Sequence, residues 1–258
     1  MTGVLAEGEL ALLLDRKGRR YLVTLEAGKQ FHSHAGYLSH DEMIGESEGA
    51  ELKSTGGATY RMLRPTLSDF VLKMPRGAQV IYPKDLGPLL MLADIHPGVR
   101  VFESGVGSGA LSMAMLRGGA DIVGYELRDD FSNRATRNVE RFLGADVMSR
   151  YRVETRDSYA GIDETDLDRI VLDLPEPWKV VPHAGGALRS GGLIAAYSPS
   201  IVQVMQFREA LDHAGHFVMA ETVEVLNRGW HVEGQAVRPD HRMVAHTGFL
   251  SVARRTAV

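Results

Sequence analysis

Five polar residues stand at the ends of apolar runs: Glu103, Glu126, Asp157, Asp173 and Tyr197. Carboxylates in that number could accept hydrogen bonds from ribose hydroxyls, from an ammonium or from the amino group of a purine. They could equally take a proton, or balance a cation formed during a reaction. The first of them leads into three glycines spaced two apart, Gly105, Gly107 and Gly109, in the stretch VRVFESGVGSG. Glycine permits positive φ and a close approach of backbone N–H groups to a ligand, and a helix N-terminus behind such a turn favours negative charge. The stretch reads as a cradle for a nucleotide or nucleoside.

The elements that must position these residues alternate. Val99 to Glu103 is a strand entering the glycine turn, and the apolar residues from Leu111 to Leu116 are the first turns of a helix. Asp121 to Glu126 is a buried strand, followed by an amphipathic helix from Arg128 to Phe142. Tyr151 to Glu154, Leu167 to Leu174 and Gly192 to Tyr197 are the next strands, the last with a helix after it from Val202 to Ala214. Phe217 to Val225 and Gly248 to Arg254 give two more strands, with no helical pattern between them. The expectation is an α/β fold with a mainly parallel, doubly wound sheet whose last strand pair brings in one antiparallel strand. Ligands bind such sheets at the carboxyl ends of the strands, where all five polar positions would converge.

Ahead of this lies a different texture. Leu10 to Leu14 and Tyr21 to Leu25 read as strands joined by the turn Asp15-Arg16-Lys17-Gly18, and Gly36, Gly45, Gly49, Gly56 and Gly57 break up the stretch up to about residue 60. Thr66 caps a helix with apolar positions Leu67, Phe70, Val71 and Met74. Pro75 stops it, so residues 1–75 are expected to form a small β-domain with a linker helix, and residues 76–258 the larger domain. A second helix carries Leu86, Leu89, Leu90 and Leu92 towards Pro97-Gly98. His32, His34 and His40 lack carboxylate or thiol partners at metal-ligand spacing and read as hydrogen-bonding loop residues.

Composition narrows the classes. The 258 residues carry 29 Lys and Arg against 33 Asp and Glu, so the net charge of −4 gives no global pull towards nucleic acid. Basic residues do gather in two segments: Arg61, Arg64, Lys73, Arg76 and Lys84, and then Arg228, Arg238, Arg242, Arg254 and Arg255. Cysteine is absent, which excludes thiol catalysis and disulfides, and no apolar run of membrane-spanning length occurs. A soluble, cytoplasmic protein without a metal is expected.

Two ligands fit the crevice. Gly105-x-Gly107-x-x-Ala110 satisfies the dinucleotide fingerprint, and Glu126 could hold a ribose hydroxyl of NAD. Glu126 could equally hold both ribose hydroxyls of S-adenosyl-L-methionine. Asp157 and Asp173 tilt the choice: a pyrophosphate gains nothing from further carboxylates, whereas a sulfonium ligand with a free ammonium and an adenine amino group does.

Together with these acids, several motifs resemble a known family: Arg64-Pro65-Thr66, Ile81-Tyr82-Pro83-Lys84-Asp85, Glu103-x-Gly105-x-Gly107-Ser108-Gly109, Tyr125-Glu126, Asp173-Leu174-x-x-Pro177-Trp178, and the tail from Arg228-Gly229-Trp230 to Arg238-Pro239 and His246-Thr247. The chain resembles the bacterial and archaeal tRNA (adenine-N1)-methyltransferases that modify adenosine 58 in the T-loop, the TrmI family. It departs from them at Ser104 and Val106, where members often carry Ala and Thr. The resemblance implies a class I Rossmann-like methyltransferase domain behind a small N-terminal β-domain, a homotetramer, and tRNA as partner. It places cofactor contacts at Glu103, Gly105, Gly107, Ser108, Gly109, Ala110, Leu111, Glu126, Asp157 and Asp173.

Adenine N1 is a weak neutral nucleophile whose methylation spreads positive charge onto the exocyclic amino group. A carboxylate accepting from that amino group would raise the nucleophilicity of N1 and offset the charge. Asp173 is the candidate, with Tyr197 and Tyr82 as further catalytic positions and Trp178 as a wall or a stacking surface. Arg228, Trp230, Arg238 and His246 are candidates for the acceptor rim, with an inter-subunit role as the alternative. A non-catalytic RNA-binding subunit would be expected to have lost the glycines or the acids, and an NAD-dependent oxidoreductase would not need Asp157 and Asp173.

Overall fold

The computed structural model describes residues 3–77 and 79–257, which divide into two compact units, Met1–Met74 and Pro75–Val258.

The first unit is built on an antiparallel sheet. Its strands are β1 (Leu10–Asp15), β2 (Arg20–Thr24), β5 (Glu51–Lys53) and β6 (Thr59–Leu63), in the order β2-β1-β6-β5. A separate hairpin pairs β3 (Gln30–Ser33) with β4 (Gly36–Ser39). The turn after β1 forms because one Asp15 carboxylate oxygen accepts from the N–H groups of Lys17 and Arg19, both 2.9 Å, while Gly18 takes φ +76°. Leu5, Leu13, Leu25, Leu38, Met43, Tyr60 and Met62 make its core. His40 belongs to that interior, its Nδ1 accepting from the Glu26 N–H at 3.0 Å.

Helix α1 (Leu67–Lys73) starts at a capping box in which Thr66 and Asp69 satisfy each other's backbone N–H groups. Arg61 and Arg64 fall in a segment whose basic residues could have met phosphate, but they are engaged within this unit, Arg61 by Glu51 and Arg64 by Glu9 and Glu48.

The second unit begins with α2 (Pro83–Leu92), then runs β7 (Arg100–Ser104), α3 (Ala110–Arg117), β8 (Asp121–Glu126), α4 (Asp129–Leu143), β9 (Tyr151–Thr155) and β10 (Leu167–Leu172). It continues with α5 (Val181–Ala187), β11 (Leu188–Ser198), α6 (Ile201–Ala214), β12 (Phe217–Glu224), the hairpin of β13 (Trp230–Glu233) and β14 (Ala236–Pro239), and β15 (Phe249–Arg255).

Seven strands form one sheet in the order β12-β15-β11-β10-β7-β8-β9. The five from β11 to β9 are parallel, and β15 runs antiparallel to both its neighbours. The expected single antiparallel strand is therefore β15. Chain order reverses where β7 meets β10, so the carboxyl ends of those two strands flank the switch-point crevice. The core beneath it includes Phe102, Tyr125, Ile170, Leu172, Ile194 and Phe207, with the Phe102 and Tyr125 rings edge to face at 4.8 Å.

Three elements depart from the reading of the sequence. Helix α2 stops at Leu92, where Asp94 turns to φ +50° and the buried Arg169 side chain donates to the carbonyls of Ala93 and Asp94 that the helix leaves free. Helix α5 carries Gly185 and Gly186 and has no strong helix signal, and the strand after it starts at Leu188 rather than Gly192. Strand β10 ends at Leu172, so Asp173 sits just past the ladder, its N–H still donating to the Ser104 carbonyl at 2.9 Å.

Candidate active site

Strand β7 leaves the sheet at Gly105, which has φ +84°. A Cβ there would lie 2.7 Å from the carbonyl carbon of Asp173 and closer still to its oxygen. The turn therefore passes directly against the chain that follows β10, and only glycine fits. Gly107 (φ +58°) turns its N–H to Glu126 Oε2 at 2.9 Å, and Glu126 Oε1 accepts from the Arg128 N–H at 3.1 Å. Gly109 (φ +82°) serves packing, since a Cβ there would lie 3.2 Å from the Ala135 Cα in α4.

These turns open on a cavity of about 650 Å³. Of the residues singled out from the sequence, Gly105, Gly107, Glu126, Asp157, Asp173 and Tyr197 line it. Ser104 and Ser158 form its buried floor, hydroxyl to hydroxyl at 2.8 Å. Val80, Leu127, Phe131, Tyr159, Pro175, Pro199, Gln203 and Thr247 also line it. Sequence reasoning passed over Phe131 because it reads as helix core, and over Ser158, Tyr159 and Gln203 because they stand in or beside loops without a pattern of their own, while Thr247 entered only as part of the tail motif.

The remaining expected positions lie outside the wall. Glu103 is fully buried beneath it, with Oε2 accepting from Ser112 Oγ at 2.7 Å and Oε1 without a hydrogen-bond partner among the described residues. Burial pushes its carboxyl up to about 8, and the charges of Asp173 and Glu126 add to the rise. Ser108 is buried, and its carbonyl takes a hydrogen bond from Asn138. Ala110 and Leu111 begin α3 with their side chains in the interior. Tyr82 is the half-buried N-cap of α2, and Trp178 sits half-buried in a short 3₁₀ turn.

Arg228, Trp230 and Arg238 belong to the excursion between β12 and β15, where Trp230 is 59% exposed. His246 ends that excursion between Glu224 Oε1 (2.7 Å) and the Pro199 carbonyl (2.8 Å), and the Glu224 carboxylate raises its pKa.

The cavity's electrostatics are those of an acid-rich pocket whose cations already have partners. Arg128 pairs with Asp130 at 3.0 Å and lies over the Phe131 ring, and Arg156 pairs with Asp163 at 2.5 Å. Burial pushes the Asp173 carboxyl up to about 7, with the Glu126 charge adding to it. Tyr197 is pushed up to about 12, by burial first and then by Asp85, Asp173 and Tyr82, and its hydroxyl donates to the Thr247 carbonyl at 2.5 Å. A pyrophosphate would meet carboxylates here without a free cation, whereas a ligand with an ammonium, a sulfonium and sugar hydroxyls meets acceptors.

A family profile described as the tRNA methyltransferase complex GCD14 subunit matches residues 59–238, and one described as TrmI-like N-terminal matches residues 3–50. The chain belongs to the GCD14/TrmI family. A TrmI relative from Thermus thermophilus, named tRNA (adenine(58)-N(1))-methyltransferase, is 36% identical over 247 residues, covering 95% of this chain and 96% of its own length.

Among solved structures, an S-adenosylmethionine-dependent O-methyltransferase from Thermotoga maritima superposes with a TM-score of 0.93 at 30% identity, over 99% of this chain and 96% of that one. The tRNA (m1A58) methyltransferase TrmI of Aquifex aeolicus gives 0.85 at 26% identity, over 99% and 100%. The larger unit of this TrmI-family chain thus has the Rossmann-like fold of S-adenosylmethionine-dependent methyltransferases, behind a small N-terminal β-domain. Among the described residues no helix is long and apolar enough to cross a membrane, and no His, Asp or Glu group could hold a metal ion.

Proposed function

We propose that the protein transfers a methyl group from S-adenosyl-L-methionine to N1 of adenosine 58 in the tRNA T-loop, forming 1-methyladenosine. The observation that carries this is the convergence of Glu126, Asp157 and Asp173 on one cavity whose arginines are already paired. When bound, the cofactor supplies an electrophilic methyl on a cationic sulfur. Glu126 would hold its ribose, Asp157 and Ser158 its adenine, and the Gly105 turn with Asp173 its amino-acid end.

Asp173 also does the work on the acceptor. Ionised, it accepts from the exocyclic amino group and concentrates electron density at N1. As charge develops on the base, it offsets that charge and can take the amino proton, a role suited to a carboxyl near neutral pH. Tyr197 presents a rigid aromatic wall to the base, held by its hydroxyl bond to Thr247. The rest of the rate comes from in-line placement, which requires the nucleotide to leave its stack.

Homotetramer formation fits the apolar side chains left exposed at Ile201, Val202 and Met205 in α6 and at Trp230, Val232 and Val237 in the hairpin. Such an assembly would gather the exposed Arg228 and Arg238 of several copies into one basic surface for tRNA, which a chain of net charge −4 does not otherwise offer. A cytoplasmic location follows from that substrate.

Incubation with unmodified tRNA and S-adenosyl-L-methionine, followed by mass mapping of the product, tests the reading. A methyl at N1 of adenosine 58 supports it. A methyl on a ribose hydroxyl would favour the O-methyl chemistry named for the Thermotoga neighbour, and no methylated tRNA would reject the assignment. Thermal protection by NAD but not by S-adenosylhomocysteine would return the cradle to the oxidoreductase reading.

A further inference from the structure

Lys84 and Asp85 follow Tyr82 and Pro83 at the start of α2 and take no part in the cavity wall. Asp85 is fully buried, the Lys84 side chain is 9% exposed, and their charged atoms are 2.8 Å apart. A buried ion pair is a costly way to start a helix, because desolvation offsets most of the attraction, so its other contacts matter.

Both partners reach the same excursion from opposite ends. Lys84 Nζ donates to the Val225 carbonyl at 2.7 Å, directly after β12. Asp85 Oδ2 accepts from Thr247 Oγ1 at 2.6 Å, shortly before β15. Residues 226–246, which carry Arg228, Trp230 and Arg238, are therefore bracketed by two adjacent side chains. Glu224 and His246, one at each end of the same excursion, pair at 2.7 Å. The excursion's exit also sets the cavity: the Thr247 carbonyl holds the Tyr197 hydroxyl, and Gly248 leaves room for that ring, since a Cβ there would lie 2.5 Å from Tyr197 Cζ.

We propose that the buried Lys84–Asp85 pair is a clasp that fixes both ends of the 226–246 excursion and, through Thr247, the Tyr197 hydroxyl, so that it governs use of the nucleic-acid acceptor and leaves methyl-donor binding unchanged. Lys84, Asp85 and Thr247 Oγ1 act as positioning groups. The assignment rests on reading Tyr197 and the excursion as the acceptor side of the site.

The test compares Thr247→Val, Thr247→Ser and Asp85→Asn in the full chain. The measurements are tRNA kinetics, calorimetry with S-adenosyl-L-methionine, and amide hydrogen exchange. A hydrogen bond to a charged group is worth a factor of roughly ten or more, so kcat/KM for tRNA should fall at least about tenfold in Thr247→Val and Asp85→Asn. Cofactor Kd should stay within about threefold, and exchange should quicken in residues 226–246 while the β7–β10 core keeps its protection. Thr247→Ser, which keeps the hydroxyl, should restore both kinetics and exchange.

Wild-type tRNA kinetics in Thr247→Val would overturn the proposal, as would a parallel loss of cofactor affinity or a Ser variant as impaired as Val. Should Asp85→Asn fail to fold, the Thr247 pair still decides. Should the wild-type protein leave tRNA unmethylated, the functional reading fails separately, and unchanged exchange in Thr247→Val then rejects the clasp by itself.

Discussion

Replacing Gly105 and Gly107 singly by alanine separates two demands that look identical in the sequence. Both residues have positive φ, so alanine at either place incurs the left-handed cost of roughly 1–2 kcal/mol. At Gly107 that is nearly all, because the nearest atom to a new Cβ is the Gly105 carbonyl oxygen at 3.8 Å. At Gly105 the new methyl overlaps the Asp173 peptide, which cannot retreat freely because its N–H is tied to Ser104 at 2.9 Å. Overpacking of this kind adds roughly 1–3 kcal/mol, giving about 2–5 kcal/mol in all.

At roughly 2–4 °C per kcal/mol for a domain of this size, Gly105→Ala should melt about 4–20 °C below wild type and Gly107→Ala about 2–8 °C below, with Gly105→Ala always the lower of the two. Circular dichroism melts without ligand give the comparison, and methyl transfer to unmodified tRNA gives its consequence, since a displaced Asp173 peptide also displaces the carboxylate. Equal melting temperatures for the two variants would refute the reasoning, as would full turnover in Gly105→Ala.

Three further outcomes follow from the same geometry. Asp173→Asn should lower methyl transfer by roughly 10²–10⁴-fold, a larger loss than its loss of cofactor affinity, and wild-type turnover should fall as the pH drops through about 7, where the carboxylate takes its proton. Glu103 has a folded pKa of about 8, above its ordinary value of 4.5, so between those values the folded state binds a proton that the unfolded chain does not. Stability should therefore decrease as pH rises from about 5 to 8 and level off above, and Glu103→Gln should make that decline shallower in pH-dependent denaturant melts, the remaining slope belonging to Asp173. Glu126→Ala removes the acceptor of the Gly107 N–H, and calorimetry should show at least about tenfold weaker binding of S-adenosyl-L-methionine, since the turn and the ribose both lose a charged partner.

Much of this site was legible in the sequence because strand ends announce themselves. Alternating strand and helix patterns placed Glu126, Asp157 and Asp173 at one edge of a sheet, and the cavity gathers all three. Glu103 shows where that rule stops: it stands one residue before the end of β7, and the pleat points it inward to Ser112 while Ser104, the last residue of the strand, lines the crevice. Ser108, Ala110 and Leu111 share the motif but belong to the interior of the turn and of α3, since spacing alone does not say which way a side chain faces.

The Lys84–Asp85 contacts were not legible, because Asp85 and Thr247 are 162 positions apart and no local period joins them. Helix α5 was hidden by its glycines, being held by tertiary packing of Val181, Ala184 and Ala187. In the basic segment before residue 85, Arg61, Arg64 and Lys84 each have a carboxylate partner that the sequence did not announce, while Lys73 and Arg76 are exposed.

Strand β15 lies between β11 and β12 but comes after both in the chain. During synthesis, β11 must wait as a bare edge and β12 without a neighbour until Phe249–Arg255 has cleared the ribosome, a delay of some seconds at ordinary elongation rates. For that interval the apolar edge of β11 is open to other nascent chains. Thr247, which enters just ahead of β15, reaches the cavity wall only when the sheet closes, so that part of the wall is the last of the larger unit to come into being.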